Sequence, residues 1–243
     1  MLINNFLKLV LVMGFLAVFT NLSLAAETDN ITVQQKVASA KKRMQLYKPP
    51  SRGAPATRVG GGTRGTAEAG PSLSVLAPDH TGLTISEQPI LYWYLSKSTQ
   101  MPMEITITHD EEINPILEIP LPTPKTAGIH SYNLARNHIK LKPGIEYRWF
   151  VALVPDETQR SNDIISGGTI MRVEQDAVIK EKLAAASSVL DKSLALAENG
   201  LWYDAINSIS STIKKQDSRD LREIRAAMLE QVGLNEAAEE DLR

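Results

Sequence analysis

Ile170-Met171-Arg172-Val173-Glu174-Gln175-Asp176-Ala177-Val178-Ile179-Lys180-Glu181-Lys182-Leu183 is the stretch on which the fold turns. Upstream of Glu174, short apolar runs are separated by Pro, Gly, Asp and Asn, the pattern of strands joined by turns. Downstream, Ile179, Leu183, Ala186, Leu190, Leu194 and Ala197 step by three or four residues, which lays one apolar stripe along a helix. The reading is therefore mainly β with α: a sheet-forming domain over 71–173 and a helical tail over 174–243.

Working upstream, candidate strands cover 72–76, 82–86, 89–96, 103–109, 116–121, 129–134, 145–154 and 168–173. Met103, Ile105 and Ile107 alternate with Glu104, Thr106 and Thr108, so one face of that strand is apolar and the other wet. Leu91, Trp93 and Leu95 alternate with Tyr92 and Tyr94, which gives both faces something to bury and predicts a central strand. In Leu141-Lys142-Pro143-Gly144-Ile145-Glu146-Tyr147-Arg148-Trp149, a Pro-Gly turn enters a strand that soon carries Tyr147. This resembles the tyrosine corner, in which a phenol hydroxyl bonds back to the backbone of the preceding turn. The expected architecture is an immunoglobulin/fibronectin III-like antiparallel β-sandwich, with Trp93 as its core tryptophan.

Working downstream, one helix is expected to run from Ile179 to Ala197 and to end at Asn199-Gly200, glycine accepting the left-handed closing position. A second carries Trp202, Ala205, Ile206, Ile209 and Ile213, and a third carries Leu221, Ile224, Met228 and Val232 before Gly233, for three to four helices in all. Gly200, Leu201, Ala205 and Ile209 align with Gly233, Leu234, Ala238 and Leu242 at a spacing close to the tetratricopeptide period. The tail thus reads as tetratricopeptide-like but short, and stacked repeats need about three units to bury their own core. Docking on the sandwich or on a partner is expected, with Trp202 and Tyr203 as candidate partner-binding residues.

At the other end, Lys8 precedes an apolar run from Leu9 to Phe19, and Ser23-Leu24-Ala25 supplies small residues where a signal peptidase reads. Residues 1–25 read as a signal peptide, and the expected location is periplasmic or secreted, without a membrane span after cleavage. Residues 26–70 form a basic arm with no acidic residue between Asp29 and Glu68, read as a helix over Thr32 to Tyr47 followed by a Gly/Pro-rich linker. Lys41, Lys42 and Arg43 are its candidate contacts to an anionic lipid or polysaccharide surface. The run Gly60-Gly61-Gly62-Thr63-Arg64-Gly65 lacks the Gly-Lys-Ser/Thr ending of a phosphate loop.

Composition removes several chemistries. The chain of 243 residues has Cys 0, which excludes thiol nucleophiles, thiolate metal sites and disulfides. A net charge of -2 gives no sign of a nucleic-acid partner. His80, His109, His130 and His138 show no metal-ligand spacing and read as surface or turn histidines; no Gly-x-Ser-x-Gly elbow occurs. Asp156, Glu157 and Asp163 read as solvated loop carboxylates. No catalytic, cofactor or metal residue is assigned.

Leu76-Ala77-Pro78 with Gly82-Leu83-Thr84, Pro89-Ile90-Leu91-Tyr92-Trp93-Tyr94, Pro143-Gly144 with Tyr147-Arg148-Trp149-Phe150, Arg160-Ser161 and Trp202-Tyr203-Asp204-Ala205 occur in this order. From about Gly53 to Leu242 the chain resembles the domain of unknown function 928 family, exported bacterial proteins known mainly from cyanobacteria. The resemblance implies a similar location and architecture, and no activity. The expected function is a non-enzymatic protein-interaction or scaffold module of the cell envelope whose partner is another envelope or exported protein. The alternatives are an envelope-surface binder acting through the basic arm and a hydrolase with a site not visible in sequence.

Overall fold

Among the described residues upstream of Glu174, the apolar runs become eight strands: β1 Leu73–Val75, β2 Gly82–Thr84, β3 Ile90–Leu95, β4 Met103–Thr108, β5 Leu117–Leu121, β6 Gly128–Asn133, β7 Glu146–Leu153 and β8 Ile164–Arg172. They build a three-stranded sheet, β1-β3-β6, and a five-stranded sheet, β2-β8-β7-β4-β5. The computed structural model describes residues 45–50, 58–60, 70–110 and 112–243. The predicted signal peptide, the arm residues Lys41, Lys42 and Arg43, and most of the glycine run lie outside the described residues. Gln45–Arg243 forms one unit.

As expected, β3 is central in its sheet, with Trp93 buried and Tyr92 and Tyr94 buried on the opposite face. β4 alternates fully buried Met103, Ile105 and Ile107 with partly exposed neighbours. The turn before β7 closes as the sequence reading requires: the Lys142 N–H donates to the Tyr147 hydroxyl oxygen at 3.1 Å, and Gly144 takes a φ of 76°.

Two strand features differ from expectation. β2 runs parallel to β8, Gly82 opposite Ile170, so this sheet is not wholly antiparallel; the long chain between the two strands supplies the crossover a parallel pair needs. β8 also begins at Ile164 rather than at Gly168. Gly167 and Gly168 read as a strand boundary, yet both sit inside the ladder because neighbours come too close for a side chain. A Cβ at Gly167 would meet Phe150 Cδ1 at 2.3 Å, and one at Gly168 would meet Ala77 Cβ at 2.4 Å.

The winding stretch yields five helices among the described residues: α1 Ala177–Ala185, α2 Val189–Glu198, α3 Trp202–Lys215, α4 Arg219–Gln231 and α5 Asn235–Asp241. The single helix expected from Ile179 to Ala197 is two. Ser188 leaves the helical path and its hydroxyl accepts the Asp191 N–H at 3.0 Å, so a new helix starts there. α1 buries no side chain, whereas α2, α3, α4 and α5 pair off in sequence order.

The 33-residue internal spacing is present in the backbone. Gly200 and Gly233 have φ of 76° and 72°. Leu201 N–H donates to Leu196 O as Leu234 N–H does to Leu229 O, and Ala205 N–H to Leu201 O as Ala238 N–H to Leu234 O. The turn α2–α3 and the turn α4–α5 are thus the same structure, set by a glycine that accepts positive φ and a leucine that folds back.

The N-terminal segment departs from the linker reading. Leu46 and Tyr47, placed at the end of the expected basic helix, are non-helical and buried. Their N–H groups both donate to Gln231 Oε1, at 3.1 and 2.9 Å, and Lys48 N–H donates to Ala197 O at 3.1 Å. Val59, read as linker, exchanges two backbone bonds with Gly167, and Arg58 donates to Ala77 O at 3.1 Å and Val232 O at 2.7 Å. Local composition does not reveal such a strap, because its buried surface and acceptors come from residues far along the chain.

Candidate functional site

Two places concentrate polar chemistry: the seam where α3 meets the strands, and a cavity at the outer edge of β6.

At the seam, α3 opens on Trp202, Tyr203 and Asp204. Trp202 is 0 % exposed and its indole N–H donates to Leu76 O at 2.8 Å. Tyr203, 3 % exposed, accepts from Trp149 Nε1 and donates to Thr169 O, both at 2.9 Å. Burial raises the Tyr203 phenol well above its usual range. Asp204 accepts the Ile85 N–H at 2.9 Å; burial, opposed by its hydrogen bonds, raises its carboxyl to about 6. Tyr47 completes the seam, with its ring edge-on to Trp202 at 4.9 Å and its hydroxyl 2.8 Å from His80 Nε2.

Sequence reasoning offered Trp202 and Tyr203 to a partner. Both are spent on the chain's own strands, since every polar atom of the two rings is bonded within the unit and neither ring is exposed. The tail therefore docks on the sheets. The seam is also where much of the family-like sequence converges: Leu76, Trp149, Trp202, Tyr203 and Asp204 touch one another or the same strand ends.

Asp163 is similarly engaged: Arg160 holds Glu104 through two bonds, 3.1 and 2.6 Å, and Asp163 at 2.8 Å, and the arginine lowers the Glu104 carboxyl. Asp156 accepts from the Thr158 N–H and hydroxyl, and those bonds lower its carboxyl. His109, expected at the surface or in a turn, sits at the turn after β4 and is buried there, its ring edge-on to Tyr147 at 5.3 Å. Among the described residues, no three His, Asp or Glu side chains are placed to hold one metal ion. No helix there is long and apolar enough to cross a membrane.

The cavity, of about 600 Å³, is lined by β6, by the 122–127 loop that leads into it, and by residues of α3, α4 and α5. Its wall holds a buried cluster that sequence reasoning missed. Arg225 bonds Asp241 through Nε at 2.7 Å and Nη2 at 2.5 Å, and Ser210 through Nη1 at 2.9 Å, so one guanidinium ties three helices together. Its only sequence signal is an arginine set among Ile224, Ala226 and Met228. Trp93 and His130 also line the cavity, with ring centroids 6.1 Å apart. Among the described residues the buried Trp93 indole N–H has no hydrogen-bond partner, an exception to the near-universal pairing of buried donors. Burial lowers the His130 imidazole, opposed by its bond to Thr126 O.

Backbone geometry gives β6 an open side. Leu134 N–H donates to Pro89 O, and continuing that register turns the backbone groups of Tyr132 and His130 toward β3. Those of Ile129, Ser131 and Asn133 then turn away from β3, at the end of the sheet.

A search of curated proteins and one of solved structures gave no match. A family model described as Domain of Unknown Function (DUF928) matches residues 59–242, a span that takes in both sheets, the cavity and the seam apart from Tyr47. With that match running from Val59 in the strap to Leu242 beyond α5, the chain belongs to the Domain of Unknown Function (DUF928) family.

Proposed function

We propose that this chain is an exported, non-enzymatic interaction module of the bacterial cell envelope, which binds another envelope or exported protein at the cavity beside β6. The observation that carries the reading is the contrast between that cavity and the seam. The seam's aromatic and acidic groups are consumed internally, whereas, among the described residues, the cavity lies at an unpaired sheet edge and holds a buried donor without an acceptor. An immunoglobulin/fibronectin III-like assignment of the sheets is supported by the Lys142–Tyr147 bond, and a tetratricopeptide-like assignment of the tail by the repeated glycine turns. Both architectures commonly serve binding, which is fold-level analogy.

The test is affinity capture from envelope extract by the natively exported chain, with a variant carrying Ile213→Glu and Ser131→Lys in the cavity wall as control. A partner retained by the first and lost by the second is expected; identical capture profiles would sink the reading. The basic arm supports a second role at anionic surfaces through Lys41, Lys42 and Arg43. Removal of residues 26–44 is then expected to reduce sedimentation with anionic vesicles, and unchanged sedimentation would discard it.

A further inference from the structure

The four sheet edges are not alike. β1 and β2 are three residues each, and the Val75 N–H on β1 is taken by the Ser166 hydroxyl at 3.0 Å. β5 carries Glu118 and Pro120, a charge and a missing donor, both of which block further pairing. β6 is six residues long, Gly128-Ile129-His130-Ser131-Tyr132-Asn133, with no proline, no lysine and no carboxylate. An edge of that length without a guard is a template for another strand, and natural proteins leave one open where pairing is used.

Among the charged side chains that line the cavity, three are cations, Arg136, Lys214 and Arg225, and two are carboxylates, Glu240 and Asp241. Of the cavity's cations, Arg225 is neutralised by Asp241, and Glu240 is answered by Arg243 at 3.1 Å. Arg136 and Lys214, which also line the cavity, have no carboxylate partner among the described residues. These two cations line the same cavity as β6, and an occupant with carboxylates complements them.

From the unguarded β6 edge and the unanswered Arg136 and Lys214, we infer that the chain takes an extended acidic segment of a partner protein as an added strand on β6. This rests on the interaction-module reading and gives it a partner chemistry. Backbone groups of Ile129, Ser131 and Asn133 pair with the segment, and its carboxylates meet Arg136 and Lys214. The backbone bonds supply affinity, and the two cations supply selectivity.

The test uses the full mature chain and two acetylated eight-residue probes of alternating composition, one valine and glutamate, the other valine and lysine, followed by fluorescence anisotropy. The glutamate probe is expected to bind at least tenfold tighter at low salt, with the preference shrinking as salt screens it. Arg136→Glu with Lys214→Glu is expected to reverse the preference. Ser131→Pro, which removes an outward N–H, is expected to weaken the glutamate probe at least tenfold, and a circular dichroism melt establishes that the variant is folded. Charge-blind binding, or full binding by folded Ser131→Pro, overturns the proposal. So does a wild-type dimer in sedimentation that Ser131→Pro abolishes, because the edge then belongs to a second copy of the chain. The two readings fail separately. An envelope partner that Ser131→Pro still retains removes the edge assignment and leaves the module. Probe binding with both dependences supports the edge even where no envelope partner is captured.

Discussion

The start of α3 and the start of α5 share one backbone and do different work. Both follow a positive-φ glycine and a leucine whose N–H folds back onto the preceding helix. At α3 the next three residues are Trp202, Tyr203 and Asp204, all engaged with the strands. At α5 they are Asn235, Glu236 and Ala237. The first two are exposed, and Glu236 accepts the Ser72 hydroxyl at 2.6 Å. A repeat therefore fixes where a helix turns, and the side chains in its first turn decide whether that helix becomes a dock or remains a surface.

Substitution at the equivalent positions breaks the comparison most sharply. Trp202→Ala is expected to cost about 3–5 kcal/mol, the usual range for emptying a buried large aromatic site. Asn235→Ala is expected to stay within about 0.5 kcal/mol, as exposed positions do. Urea unfolding measures both, and similar losses would mean that α5 docks as α3 does.

Acid sharpens it next. Asp204 titrates near 6 in the folded chain against 3.8 for an ordinary aspartate, whereas Ala237 does not titrate. The folded state holds the proton more tightly, so this group's share of stability is fully present below about pH 3.8 and is lost as pH rises through about 6. That share is on the order of 3 kcal/mol. The stability difference between wild type and Asp204→Asn, followed by urea unfolding from pH 4 to 7, is expected to drift by most of this amount, about 2 kcal/mol, against the wild type. A flat difference would mean that the carboxylate is well solvated.

The two glycines test the shared backbone. Gly200→Ala and Gly233→Ala each force a side chain into the left-handed region, at about 1–2 kcal/mol. Gly200→Ala is expected to cost more, since its Cβ also meets Lys48 O of the strap at 3.2 Å while Gly233 meets only an Arg58 side-chain nitrogen at 3.5 Å. Equal melting points would show the strap yielding at no cost. Smallest is Tyr147→Phe, expected at about 1 kcal/mol, the net worth of one hydrogen bond. It lies outside both helix starts, so its effect should add to that of Trp202→Ala; strong coupling in the double variant would mean that turn and seam unfold as one.

Much of this molecule was legible residue by residue. Short apolar runs bounded by Pro, Gly, Asp and Asn located the eight strands of the described residues, and alternation told which face of β4 is buried, because a half-buried strand must alternate. Gly200 and Gly233 announced their turns, because no other residue takes positive φ as freely. Where reading failed, the deciding partner lay elsewhere in the chain. The apolar stripe from Ile179 to Ala197 continues across Ser187-Ser188, and only the Ser188 cap on Asp191 reveals the break. Gly167 and Gly168 look like an end until Phe150 and Ala77 press against them. The cavity could not be foreseen, since β6, the 122–127 loop and Arg225 are brought together only by the docking of the tail.

By itself, the sequence determined the two rhythms of the chain, the positions of its turns, and the absence of thiol chemistry, all properties of residues and their near neighbours. Tertiary structure alone decided that Trp202 and Tyr203 face inward, that residues 45–50 and 58–60 form a strap, and that β6 has no outer strand partner among the described residues. Those outcomes depend on which distant surface reaches a group first and completes its burial or its hydrogen bond, and spacing along the chain does not encode that.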